Sequence, residues 1–454
     1  MYKNIIDYLA GDIYPFHMPG HKRNPLFMPP NLHELDLTEI PGMDVLSSPT
    51  GMIRDMQEKI ANFYGASHSF LLVNGSSAGI IAAICATCTD GDTIIIPRNA
   101  HASVYNGLVL SGAVPMYILP QITEDGLAGG ICPSSFDDMP HGAVALVISP
   151  TYEGFVSDIR TIAHKVHSRG GILIVDEAHG AHFAFHKRFP TSALELGADI
   201  VIQSLHKTLP APSQTAVFHV KEGRVDINRV KFLLNAVQTS SPSYILMAVC
   251  DYILQKLWAQ PELFEIYVER LEKLRASMPT DGTIFLQHHE GSAIFDTDPG
   301  KLLFTTQLDT STIAEIMSRE YKVQMEMAAG QHILAMTSVA DTEAGFERLQ
   351  RAIEGISSET VGNVALSVPL SRLSSFTCGT LKAASLTKAA CIPEMVFPPR
   401  QAIYMPSREI PWEESAGQIS AQLIAQYPPG IALVAPGERI PLGIPKQSET
   451  IRVI

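Results

Sequence analysis

Lys207 stands in QSLHKTLPAP (residues 203–212), directly after the apolar run GADIVI. Ile200, Val201 and Ile202 read as a buried strand, and Ser204 and His206 alternate with it at a period of two. Pro210 and Pro212 then forbid an ordinary helix and stiffen the backbone. A solvated loop is the usual place for a lysine. A rigid polar turn at the carboxyl end of a core strand is instead where α/β enzymes place their chemistry. An amine held there is a nucleophile for a carbonyl.

Asp176 ends a second apolar strand, GILIVD, one strand earlier in the chain. Taken alone it is a metal ligand, a general base, a partner for a buried cation or a helix cap, since DEAHGAH follows. Taken with Lys207 it suggests pyridoxal phosphate, which needs an acid beneath its ring nitrogen and a lysine for its aldehyde. NGSSAGI (74–80) follows a strand and opens a helix. Its backbone N–H groups, from Gly75 onward, and the hydroxyls of Ser76 and Ser77 form a phosphate cup at the positive helix end. Ser204 and His206 flank the lysine as further phosphate contacts, and His101 in PRNAHASVYNGL is a candidate to stack on the ring. Each signal is weak by itself, because Gly/Ser turns before helices are common. Neither a nucleotide P-loop nor a dinucleotide fingerprint is present.

Elements able to hold these groups follow from the patterning. SFLLV, DTIIIP, VPMYILP, AVALVISP, GILIVD and ADIVIQS are short apolar strands separated by helical text. That alternation predicts a mostly parallel sheet covered by helices on both faces. After Pro242, SYILMAVCDYILQKLWAQ and FEIYVERLEKLRASM read as helices. LLFTTQLD and HILAMTS then read as strands around the helix TSTIAEIMSREY, before the helix TEAGFERLQRAIEGI. The expected organisation is an arm over residues 1–45, a large cofactor-binding domain over 46–242, a smaller α/β domain over 243–355 and a small C-terminal domain over 356–454. The arm is rich in Pro, Gly and His and is expected to dock on another surface.

The 454 residues, 46% hydrophobic and 17% charged, describe an ordinary globular protein with ample core. A formal charge of −13 argues against general nucleic-acid binding. No segment approaches the ~20 apolar residues of a membrane span. The N-terminus carries Asp7 and Asp12 and lacks a signal-peptide core, so the expected location is the cytoplasm. Cys85 and Cys88 form a C-x-x-C inside a buried helix, with no second ligand pair beside it. No metal is expected.

Seven segments together carry a specific resemblance: HMPGHK (17–22), VNGSSAG (73–79), RNAHASVYNGL (98–108), VDEAHGAHF (175–183), SLHKTLPAPSQTA (204–216), TSSPSY (239–244) and YPPGIALVAPGE (427–438). In order, over nearly the whole chain, they resemble the ornithine/lysine/arginine decarboxylase family of fold-type-I pyridoxal phosphate enzymes, in its short form without an N-terminal wing domain. The resemblance implies an aminotransferase-like large domain, a smaller α/β domain and a small C-terminal domain. It implies that Lys207 carries the cofactor and Asp176 pairs with its pyridine nitrogen. Ser76, Ser77, Ser204 and His206 bind phosphate, His101 stacks on one face of the ring, and Ala178 lies against the other. His206 or Lys207 returns a proton to Cα.

The implied reaction is decarboxylation of arginine, lysine or ornithine to agmatine, cadaverine or putrescine. The implied assembly is a homodimer with its active site between protomers, where Ser240 and Ser241 reach the neighbour's phosphate. His17, His21 and Lys22 of the arm complete the pocket, and Glu414 and Glu438 are candidates for the basic end of the substrate. Two positions depart from the pattern: Ala102, where many members carry lysine, and Gln418 in AGQIS. An aminotransferase or another lyase on the same fold, or a non-catalytic vitamin-binding protein, are the rival readings.

Overall fold

The computed structural model describes residues 1–287, 291–359, 392–426 and 430–454. Six of the expected strands assemble with a seventh into one sheet. Its order is His68–Leu72, Ala216–Val220, Ile200–Ser204, Ile172–Asp176, Val144–Ile148, Thr93–Pro97, Val114–Ile118. Ala216–Val220 runs antiparallel to both of its neighbours, and the remaining contacts are parallel. This seventh strand (AVFHV) was not among the sequence-expected ones. It is short and directly follows the Pro-rich turn after Lys207.

The continuous apolar runs have a plain physical reading. Ala145, Val147, Leu173, Val175 and Val201 face one core, while Val144, Leu146, Ile174, Ile200 and Ile202 face the other. Both faces are therefore covered, as expected for parallel strands without polar alternation. Helix Gly75–Thr87 lies close on the second face: a Cβ at Gly79 would stand 2.8 Å from Leu72 Cδ1. That approach sets the helix N-terminus at the carboxyl edge of the sheet, beside the ends of the Ile172–Asp176 and Ile200–Ser204 strands.

The smaller unit is an antiparallel sheet ordered Ile284–Leu286, Lys301–Thr306, His332–Met336, Met327–Ala329. Its last helix, Glu343–Glu359, runs past the expected boundary at 355. The C-terminal unit has two antiparallel strand pairs around a core of its own that includes Ile410, Trp412, Val434, Ile451 and Val453. The Ser/Thr-rich text expected to begin this unit falls mostly outside the described residues, as do Tyr427, Pro428 and Pro429.

The arm is anchored within its own chain. Tyr14–Phe16 pairs in parallel with Val323–Met325 of the same chain, and Phe16 and Phe27 are fully buried in its main core. Asn24 Nδ2 donates to Ala340 O at 3.0 Å. Two aromatic side chains and a strand pairing give this segment more apolar anchoring than its Pro/Gly content suggested. It docks on the small unit of its own chain. The first helix, Tyr2–Leu9, has no buried residue, and neither does the short helical turn Leu32–Leu35. Among the described residues no helix is long and apolar enough to cross a membrane.

Candidate active site

Sheet register brings the expected groups together. Asp176 pairs with Ile148 on one side and Ile202 on the other, so it shares the carboxyl edge with Ser204 and the turn Leu205–Thr208. Asp176 is buried, and its Oδ1 accepts from Ala178 N at 3.2 Å. The cap reading thus accounts for one oxygen only. Asp176 also favours the charged forms of both Lys207 and His101, which places the three groups in one electrostatic cluster.

Lys207 Nζ lies 3.1 Å from His179 Nε2. Burial lowers the lysine below its ordinary value, with Asp176 and Glu326 opposing the shift. An amine that loses its proton readily is the form a carbonyl-binding lysine needs. His206 Nδ1 lies 2.9 Å from Thr215 O, which assigns the ring's N–H to that nitrogen, and burial disfavours its imidazolium.

The phosphate cup is built as a contact between two elements. Ser204 Oγ donates to Ser76 Oγ at 2.7 Å, joining the end of a core strand to the first turn of helix Gly75–Thr87. Gly75 has φ +77°, and a Cβ built there meets no atom within 4 Å. The Gly75 N–H donates to Gln214 O at 2.8 Å, but the first-turn amides beyond it, two hydroxyls and open space at a helix N-terminus fit a phosphate group. Ser77 is exposed beside them. With Lys207 and Asp176 at the same edge, the residues present fit pyridoxal phosphate.

His101 caps helix Ala102–Ser111, its Nδ1 accepting from Ser103 N at 3.1 Å. The C-terminal unit holds this cap in place. Ala102 N donates to Gly430 O at 2.8 Å, Ala432 N donates to Ala100 O at 3.3 Å, and His101 bridges to Ile431. Ala178 is buried directly after the Asp176–Glu177 pair.

The arm reaches the site within its own chain. Gly20 N donates to His206 O at 2.8 Å, and a Cβ at Gly20 would stand 2.5 Å from Leu209 O. Lys22 is buried and donates to Met336 O at 2.7 Å and to His17 O at 3.0 Å, so it serves the arm's own docking. Half-buried His17 and His21 are both held towards their neutral forms, chiefly by burial.

Four sequence candidates are not brought to Lys207. Glu438 is fully buried: its Oε2 accepts from Arg98 Nη2 at 2.9 Å and from Ala435 N at 2.7 Å. It has no face open to a substrate. Glu414 is exposed on the turn Trp412–Glu414. Ser240 and Ser241 are exposed in the loop before helix Tyr244–Ala259. No cluster of three or more metal-ligating side chains occurs among the described residues.

Three residues of the site escaped sequence reading. His179 lies three positions beyond Asp176 in DEAHG, so its signal was available. Lys301 opens an apolar strand and is 5% exposed, where a lysine would ordinarily be solvated. Glu326 is half-buried, with Oε1 accepting from Tyr152 at 2.8 Å and Oε2 from Met18 N at 2.9 Å. It acts on Lys207 and Lys301 alike, favouring their charged forms. Only its place between two neighbouring strands, Val323–Met325 and Met327–Ala329, brings it there.

Comparison with known proteins identifies the family. Residues 1–298 match the Orn/Lys/Arg decarboxylase major domain, and residues 382–448 match the C-terminal domain of the same enzymes. The chain is 31% identical over 460 residues to an arginine decarboxylase of Bacillus anthracis, covering 97% of this chain and 90% of that protein. It is 32% identical over 448 residues to an arginine decarboxylase of Bacillus subtilis, covering 94% and 88%. The lysine decarboxylase structure of Francisella novicida superposes with a TM-score of 0.77 at 19% identity, over 93% of this chain and 75% of that one, and shows the shared fold. The chain belongs to the Orn/Lys/Arg decarboxylase family and is an amino-acid decarboxylase.

Proposed function

We propose that the protein uses pyridoxal phosphate to decarboxylate a basic amino acid, arginine ahead of lysine and ornithine. The observation that carries this reading is the meeting of Lys207, Asp176 and the Ser76–Ser204 pair at one sheet edge. The preference for arginine is supported by relatives above 30% identity that bear that name. When bound, pyridoxal phosphate supplies an electron sink for the pair left behind as CO₂ departs from Cα.

The chain's own residues do the rest. Asp176 holds a proton on the pyridine nitrogen, keeping the ring able to accept charge. Ser76, Ser77, Ser204 and the backbone amides from Ser76 onward would bind the phosphate. His101 and Ala178 would hold the ring between them. Lys207 Nζ binds the aldehyde and later returns a proton to Cα. His206 is the poorer donor, since its N–H is committed to Thr215 O and its charged form is disfavoured.

Glu326 is the carboxylate best placed for the substrate's basic end, taking the part first expected of Glu414 and Glu438. Tyr152 and the arm's Met18 orient it. The arm, closed over the turn that carries Lys207, excludes water. A homodimer in the cytoplasm completes the proposal, with exposed Ser240 reaching the neighbouring site. Release of CO₂ from a panel of amino acids, with the amine products identified, is the test. Turnover of none of the three basic amino acids would refute the reading.

A further inference from the structure

A second lysine at the buried end of the site has no part in the chemistry above. Lys301 Nζ lies 2.9 Å from His179 Nδ1, while Lys207 Nζ lies 3.1 Å from Nε2 of the same ring. Burial, reinforced by both lysines, keeps this imidazole neutral. A neutral imidazole has one N–H and one lone pair. One lysine must therefore accept from it as an uncharged amine, and the other donates to it, most strongly as an ammonium. Two ammoniums would set the ring N–H against a cation with no lone pair.

The surroundings decide which is which. Lys301 has Asp298 beside it, a carboxylate 3% exposed. Burial works against that ionisation, but His182 Nε2 at 3.1 Å and the Gly300 N–H at 2.8 Å hold Asp298 below its ordinary value. The Tyr152 ring centroid stands 5.9 Å from Lys301 Nζ, a second feature favouring a cation. Glu153 and Glu326 add to it, and burial lowers Lys301 only to about 8, with Lys207 opposing its charge. Lys207 faces Asp176, Glu326, His101 and His206. Glu326 favours the cation at either lysine and does not separate them, whereas Asp298, Glu153 and the Tyr152 ring act on Lys301.

We propose that Lys301 is a positioning residue whose ammonium donates to His179 Nδ1 and fixes the Nε2–H tautomer, which donates to Lys207 Nζ and keeps it an uncharged amine ready for an aldehyde. This rests on the reading of Lys207 as the cofactor's lysine. Capture releases one water. The Nζ lone pair leaves its hydrogen bond and forms the new bond to the aldehyde carbon, and the carbonyl oxygen departs with the amine's two hydrogens.

The test follows capture of pyridoxal 5′-phosphate by the apoprotein across pH, read by absorbance and by borohydride trapping with mass spectrometry. Lys301→Met removes the ammonium, so His179 can accept from a charged Lys207. The capture inflection moves up by about one pH unit, and the rate at pH 7 falls about tenfold. Lys301→Arg keeps the charge and the donor, and restores the wild-type profile. A Lys301→Met profile that superimposes on wild type, or a Lys301→Arg profile as shifted as that of Lys301→Met, overturns the proposal. Should Lys301→Met not fold, ¹⁵N NMR of histidine-labelled wild-type apoprotein, assigned with His179→Gln, decides. The Nε2–H form is expected, and the Nδ1–H form overturns the proposal. A wild-type protein that captures no aldehyde on Lys207 would sink the functional reading and this inference together.

Discussion

Ser204 Oγ and Ser76 Oγ meet at 2.7 Å although 128 positions separate them in the chain, and their contact joins the two elements of the proposed phosphate cup. Removing either hydroxyl takes one hydrogen bond from a bound phosphate, about 1–1.5 kcal/mol, or roughly tenfold in affinity. Ser76→Ala and Ser204→Ala are each expected to weaken pyridoxal phosphate binding to the apoprotein by that factor. Titration curves identical to wild type for both variants would place the phosphate elsewhere.

Asp176→Asn keeps the shape of the side chain and removes its charge. The expected loss in turnover is about 100-fold or more, in the range of other removed electrostatic stabilisers. Thermal denaturation should show a folded protein. Near-normal turnover would mean that Asp176 only caps the turn at Ala178.

Glu326→Gln leaves the hydroxyl of Tyr152 a partner but deletes the anion. A charged hydrogen bond to a substrate cation is worth about 1.5–3 kcal/mol, so KM for the basic amino acid should rise about 10- to 100-fold. Unchanged KM with lowered kcat would show that Glu326 serves the lysines and not the substrate.

Glu438 has a different expected effect. Ala in its place leaves Arg98 buried without its counter-charge, a loss of about 3–5 kcal/mol in stability. The double variant Arg98→Met, Glu438→Leu should recover much of it. Chemical denaturation measures both. A fully stable Glu438→Ala protein with raised KM would return Glu438 to the substrate pocket.

Glu177, next to Asp176, is buried among Ser192, Ala193 N and Gln203, and burial raises it from 4.5 to about 7. Between those values the folded protein holds a proton that the unfolded chain has released. Stability therefore falls as pH rises through this window, by up to ~3 kcal/mol, and the contribution is fully lost above it. In Glu177→Gln that part of the slope should vanish. An unaltered pH dependence of the denaturation midpoint would show that Glu177 is ionised in the fold.

Much of this was legible in the chain. Lys207, Asp176 and the NGSSAG turn each sit at the end of an unbroken apolar run, and such runs are buried parallel strands whose carboxyl ends line up. Local pattern was enough because backbone pairing, not side-chain detail, sets that edge. The adjacent acids Asp176 and Glu177 show where local pattern ends. Both read as carboxylates after a strand, yet one lies at the sheet edge beside Lys207 and the other in a buried hydrogen-bond cluster. Only the neighbouring segments, from Ser192 to Gln203, make that distinction.

The sequence by itself determined the layered α/β core, the order of its strands along the chain and the lysine at its edge, since period and burial are properties of contiguous residues. Tertiary structure alone decided the docking of the arm on its own chain, the pairing of Glu438 with Arg98, and the arrival of Lys301 and Glu326 beside Lys207. Those outcomes depend on charges and aromatic rings from distant segments being desolvated together. The energy of such a meeting lies in neither partner until the fold brings them into contact.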